Sequence, residues 1–82
     1  MRIELTIEGT LAGYTESELV DGVVHLLHTV TIPEYRGRGI AGMLVAQTVA
    51  ETNARGLAFK PVCPYAIDWV EKNPDAVERL VK

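Results

Sequence analysis

Three places in this chain carry residues that could do chemistry: the run Arg36-Gly37-Arg38-Gly39, His28 upstream of it, and Cys63. The run follows a β-branched stretch closed by Ile32-Pro33 and precedes an apolar segment of helical character opening with Ile40-Ala41-Gly42. Gly37 and Gly39 let the backbone turn tightly and come close to a bound group, while the first N–H groups of the next helix have no partner inside it. Those donors and the positive end of the helix dipole attract phosphate, and two guanidinium groups add charge at the same point. In outline this is a pyrophosphate cradle. A plain surface turn and an RNA-touching arginine-glycine stretch compete with that reading, since short glycine motifs occur in many contexts.

The common nucleotide motifs fit poorly. A phosphate loop ends in Gly-Lys-Ser/Thr, whereas Gly39 is followed by Ile40 and Ala41. The spacing Gly37-x-Gly39-x-x-Gly42 matches a dinucleotide fingerprint literally. That motif needs an acidic residue about twenty positions on, within a larger parallel sheet, and the chain has no room for one.

The words around the turn resemble the GCN5-related N-acetyltransferases. Their acetyl-CoA motif runs Gln/Arg-x-x-Gly-x-Gly/Ala, and Arg36-Gly37-Arg38-Gly39-Ile40-Ala41 fits every fixed position. With His28-Thr29 upstream and Cys63-Pro64-Tyr65 downstream, the chain resembles a short, single-domain branch of that superfamily. The resemblance implies acetyl-CoA as cofactor and transfer of its acetyl group to a small-molecule or peptide amine. It further implies CoA contacts from the backbone of Thr29, Val30 and Thr31 and from Arg36, Gly37, Arg38, Gly39, Ile40 and Ala41. The chain is shorter than ordinary members, so a CoA-binding or interaction module without turnover is the alternative.

Cys63 falls at the end of a strand and the start of a helix, where the dipole favours the thiolate and raises reactivity. A lone cysteine is more often a small buried hydrophobe. Larger relatives often carry Asn-x-x-Ala beside the thioester, and Cys63-Pro64-Tyr65-Ala66 resembles that pattern with cysteine in place of asparagine. Cys63 is thus a catalytic candidate in one of three roles: acyl-accepting nucleophile, acid to the departing CoA thiolate, or pocket wall. His28 is the second candidate, as base or structural partner, although a histidine on an apolar strand face is more often a satisfied core residue. His25, expected to face the other way, is set aside. Tyr65 could donate a hydrogen bond in the site, and Trp69 reads as core. Glu16, Glu18 and Glu34 read as solvated surface charges.

The elements that must position these residues follow from periodicity. Residues 2 to 8 alternate as a half-buried strand, and a less regular one follows from Leu11 to Leu19. Asp21-Gly22 is a strong hairpin signal, pairing that strand antiparallel with a central one from Val23 to Ile32. Pro33 ends it. A long helix from about Gly39 to Arg55 should bury mainly its first half, with Gln47, Thr48, Glu51, Thr52 and Arg55 sharing a polar face. Leu57 to Val62 reads as a fourth strand, parallel to the third through a right-handed crossover. Pro64 suits the first turn of one short helix, and Asn73-Pro74-Asp75 signals the start of another docked by Val77, Leu80 and Val81. The expected fold is α+β, a mixed four-stranded sheet in the order β-β-β-α-β-α-α. In such crossovers ligands lie at the carboxyl ends of the strands, where the glycine-arginine turn falls.

With 82 residues the chain is expected to be one domain, 1–82, near the size where a core alone is marginal and a ligand or self-association helps. The net charge of −3 argues against a nucleic-acid or anionic-membrane partner. One cysteine cannot make an internal disulfide, and no signal-like or membrane-spanning run is present, so a cytoplasmic location is the expectation.

Overall fold

The computed structural model describes all 82 residues. Three antiparallel strands come first: β1 (Arg2–Ile7), β2 (Thr10–Val20) and β3 (Val23–Thr31). Both connections are two-residue turns with positive φ, Glu8-Gly9 and Asp21-Gly22, the conformation that suits the right-handed twist of a hairpin. A single 3-10 turn, Pro33–Tyr35, leads to the helix α1 (Ile40–Ala54), then β4 (Ala58–Pro61) and the helix α2 (Pro64–Lys72). The sheet runs β1-β2-β3-β4, with β4 parallel to β3 as the crossover requires. No helix is long and apolar enough to cross a membrane.

Burial in α1 differs from the expectation. A stripe of Ile40, Leu44, Val45, Thr48, Val49 and Thr52 is buried along its whole length. The two threonines are tolerated there because each hydroxyl donates to the carbonyl one turn back, Thr48 to Leu44 and Thr52 to Thr48. Val45 and Val49 join Val24, Leu26, Phe59, Cys63, Ala66 and Val70 in one core. A smaller core of Ala12, Ile40 and Leu44 lies under the first turns of α1, flanked by Ile3, Leu5, Ile7 and Tyr35.

The second terminal helix does not form, which corrects the expected element order. Asn73 closes α2 instead of capping a new helix: its side chain donates to the Trp69 carbonyl and its N–H to that of Val70. The tail is claimed by distant partners. Asn53 of α1 donates to the Ala76 carbonyl at 2.8 Å and accepts from the Glu78 N–H at 3.2 Å. Phe59 N–H then bonds Arg79 O, and Val81 N–H bonds Phe59 O, a one-rung parallel extension on the free edge of β4. These bonds take the backbone groups that a helix would have used.

Candidate active site

Two irregularities shape the region around the glycine-arginine turn. The first is a bulge in β3. Glu16 pairs with His28 and Ser17 with Leu26, leaving Leu27 as the extra residue. Alternation therefore shifts by one. Thr15, opposite Thr29, is buried against α1 through a 2.8 Å contact between its hydroxyl and that of Thr48, so Thr29 faces the helix side as well. His28, opposite Glu16, is exposed on the other face with Arg2, whose guanidinium bonds Glu16 at 2.8 Å. His25, opposite Glu18, shares that face with His28, contrary to the sequence reading.

The second is the parting of β3 from β4. Their pairing covers only Val23 to Leu26 against Ala58 to Pro61. Leu26 O then accepts from both Val62 N–H and Cys63 N–H, and the chain turns away into α2. From Leu27 to Thr31, β3 has β2 on one side and no strand on the other. Ile32 N–H bonds Ala12 O, and the Val30 carbonyl faces Gly13, so strand alternation turns the N–H groups of Thr29 and Thr31 to the open side. Val30 has its polar backbone turned to β2.

The start of α1 stands beside this open edge. Gly37 and Gly39 have φ of 80° and 75°, a region costly for residues with a Cβ, and Gly39 is the N-cap without any side-chain capping bond. The N–H groups of Ile40, Ala41 and Gly42 have no intrahelical partner. Arg36 and Arg38 are exposed and neither takes part in any of the four ion pairs of the chain. The Arg38 guanidinium lies 5.4 Å from the centroid of the Tyr35 ring, within cation–π range.

The start of α2 supplies the third side. Cys63 is its N-cap and is buried, with its sulfur accepting the Ala66 N–H at 3.4 Å and lying 3.4 Å from Thr29 Oγ1. Tyr65, exposed, projects toward α1: a Cβ on Gly42 would stand 3.4 Å from its hydroxyl. The structure thus brings together Thr29, Cys63 and the first turns of both helices. It does not bring His28 to Cys63, since they lie on opposite faces of the sheet. The two cations with raised pKa values, Arg2 through its hydrogen bond to Glu16 and Lys72 through Asp68, belong to neither side of this gap.

A family model described as GCN5-related N-acetyl-transferase matches residues 2–80. The chain belongs to that family. Among solved structures it resembles the ribosomal-protein-S18-alanine N-acetyltransferase from Escherichia coli, with a TM-score of 0.76 and 22% identity. That match covers 89% of this chain and 50% of the other, so this member of the family spans half the length of that relative. It also resembles the aminoglycoside N-acetyltransferase AAC(6′)-Iy in complex with CoA, with a TM-score of 0.61, 19% identity and coverage of 99% and 72%. No curated protein matches the chain. At these identities the structural likeness establishes the shared fold.

Gly13 escaped the sequence reading. It sits in the middle of a strand with no turn signal near it, and its meaning is spatial.

Proposed function

We propose that this acetyltransferase-family chain binds acetyl-CoA and passes the acetyl group to an amine. The observation that carries the reading is the convergence of unpaired donors on one gap: the first turn of α1 with free Arg36 and Arg38, and the open edge of β3. The N–H groups of Ile40 and Ala41, with Gly37 and Gly39 shaping the turn, would hold the pyrophosphate, and the two arginines would add charge-assisted bonds. Thr29 and Thr31 N–H groups would align the pantetheine arm as a strand aligns its neighbour, while Val30, whose backbone bonds β2 and whose side chain shares the face of His28, falls out of the expected contacts. One of these donors, aimed at the thioester carbonyl, stabilises the oxyanion as it forms.

Transfer needs a neutral amine nitrogen to attack the thioester carbon, lose its proton, and expel CoA as a thiolate that takes up a proton. His28 lies on the opposite face from Cys63, so an amine arriving from that face would meet His28, or water, as base. Cys63, on the helix side, accepts from the Ala66 N–H, and its sulfur lies 3.4 Å from the Thr29 hydroxyl, where either group can be the donor. This setting suits a thiolate that takes the acetyl group first, toward which the hydroxyl would donate, or a thiol that hands its proton to departing CoA. A free thiol in this role fits a reducing, cytoplasmic compartment.

Incubation with acetyl-CoA followed by intact-mass measurement tests the reading. CoA release with a panel of polyamines and peptide amines, or an acetyl group on Cys63, is the expected result. Tight CoA binding with neither outcome would favour a binding module without turnover, and no CoA binding would refute the assignment.

A further inference from the structure

Five of the seven glycines have positive φ with open space where a Cβ would be. Gly13 is the reverse. It is buried in β2, and a Cβ built there would stand 2.5 Å from the Val30 carbonyl oxygen, 2.9 Å from Leu44 Cδ1 and 3.0 Å from Ile40 Cγ2. The first of these atoms is the backbone of β3, and the other two belong to the first turns of α1. A missing side chain at this one position therefore lets three elements meet.

We propose that Gly13 is a positioning residue for the CoA site: it sets the gap between the glycine-arginine turn at the head of α1 and the open edge of β3. The inference rests on the CoA reading above. CoA would engage the site at two ends, its phosphates at the turn and its pantetheine along Thr29 to Thr31. A ligand joined in this way gains from both ends only when the spacing of its subsites matches. An alanine at position 13 must displace something. The Val30 carbonyl cannot rotate away as a flexible side chain could, and Ile40 and Leu44 are packed in the small core beneath α1. The Val30 carbonyl shares its peptide plane with the Thr31 N–H and is held by β2, so α1, which meets Gly13 only through side chains, is the partner that shifts, carrying the turn against the edge of β3 as a unit.

The test compares the whole ligand with its parts. Wild-type protein and Gly13→Ala are titrated with CoA, with 3′,5′-ADP and with pantetheine, and amide NMR spectra are recorded without ligand. The expected result is that both fragments keep affinities within about twofold of wild type while CoA weakens by about tenfold to a hundredfold. Amide shifts should reach both Thr29 to Ile32 and Gly39 to Leu44. A general loosening of the fold would weaken the fragments as much as CoA, and that outcome, or wild-type affinity for CoA, overturns the proposal. If Gly13→Ala does not fold, Leu44→Val withdraws the contact from the helix side and carries the same comparison. If the wild-type protein binds no CoA, the functional reading fails, and the ligand-free spectra decide the role of Gly13. Shifts across both segments support it, and shifts confined to β2 refute it.

Discussion

Thr29 Oγ1 lies 3.4 Å from Cys63 Sγ, across the gap that opens where β3 and β4 part. The two residues are far apart in sequence and meet only because the Leu27 bulge turns Thr29 toward the helices. If the hydroxyl orients or stabilises the sulfur, Thr29→Val, nearly the same shape without the donor, should slow acetyl transfer by about tenfold, the scale of one hydrogen bond to a charged group. Cys63→Ala should abolish transfer. It should also remove the N-cap of α2 at a cost of about 1 kcal/mol, whereas Cys63→Ser keeps a cap. CoA affinity should hold in all three variants, because the thiol acts in the transition state. Steady-state rates, calorimetry and thermal unfolding together read these outcomes. A wild-type rate in the alanine variant would leave Cys63 as a pocket wall.

Gly39→Val tests the cradle. No atom lies within 4 Å of where a Cβ would stand, so the cost comes from the φ of 75° and from shielding the helix N–H groups. A branched residue in that region costs about 1–2 kcal/mol, which the fold should survive. CoA binding measured by calorimetry should be lost. Wild-type affinity in a folded variant would place the phosphates elsewhere.

Arg36 and Arg38 are exposed and unpaired, so their contribution should be electrostatic and salt-sensitive. Replacing both with glutamine should weaken CoA by about tenfold after allowance for solvent screening. The wild-type affinity should fall as ionic strength rises, and that of the double variant should fall less. Equal salt slopes for the two proteins would remove the arginines from the phosphate site.

The buried Thr15–Thr48 contact gives a stability prediction independent of function. Thr48 donates its proton to the Leu44 carbonyl, so Thr15 must donate to Thr48. Thr48→Val then strands a buried hydroxyl and should cost about 1–3 kcal/mol. Thr15→Val added to it removes the stranded group and should recover part of that loss. Denaturant unfolding of the two single variants and the double variant closes the cycle, and strict additivity would show that the hydroxyls do not interact.

Much of the fold could be read locally. Asp21-Gly22 makes a two-residue hairpin because both positions tolerate positive φ, Pro33 stops β3 because it has no N–H to give, and Gly39 and Cys63 stand at the helix starts. Each signal acts through its own backbone, within a few residues. The glycine-arginine turn and its likeness to an acetyl-CoA motif are of the same kind, and the family match over residues 2–80 agrees with it.

Other features depend on segments far apart in the chain. Asn73-Pro74-Asp75 is a sound helix start by its own chemistry, yet the amide of Asn53 and the free edge of β4 offer the tail better partners, and the helix does not form. The bulge at Leu27 has no local mark. It arises from the register of β2 on β3, and a one-residue slip is enough to exchange the faces of a strand, which sends Thr29 to Cys63 and His28 to the opposite side. Gly13 reads as an unremarkable strand residue until α1 is laid over it. Residue types and short-range spacing thus carry the elements and the glycine-arginine turn. Pairing register and close approach, which are properties of segments in contact, settle which side chains share a site.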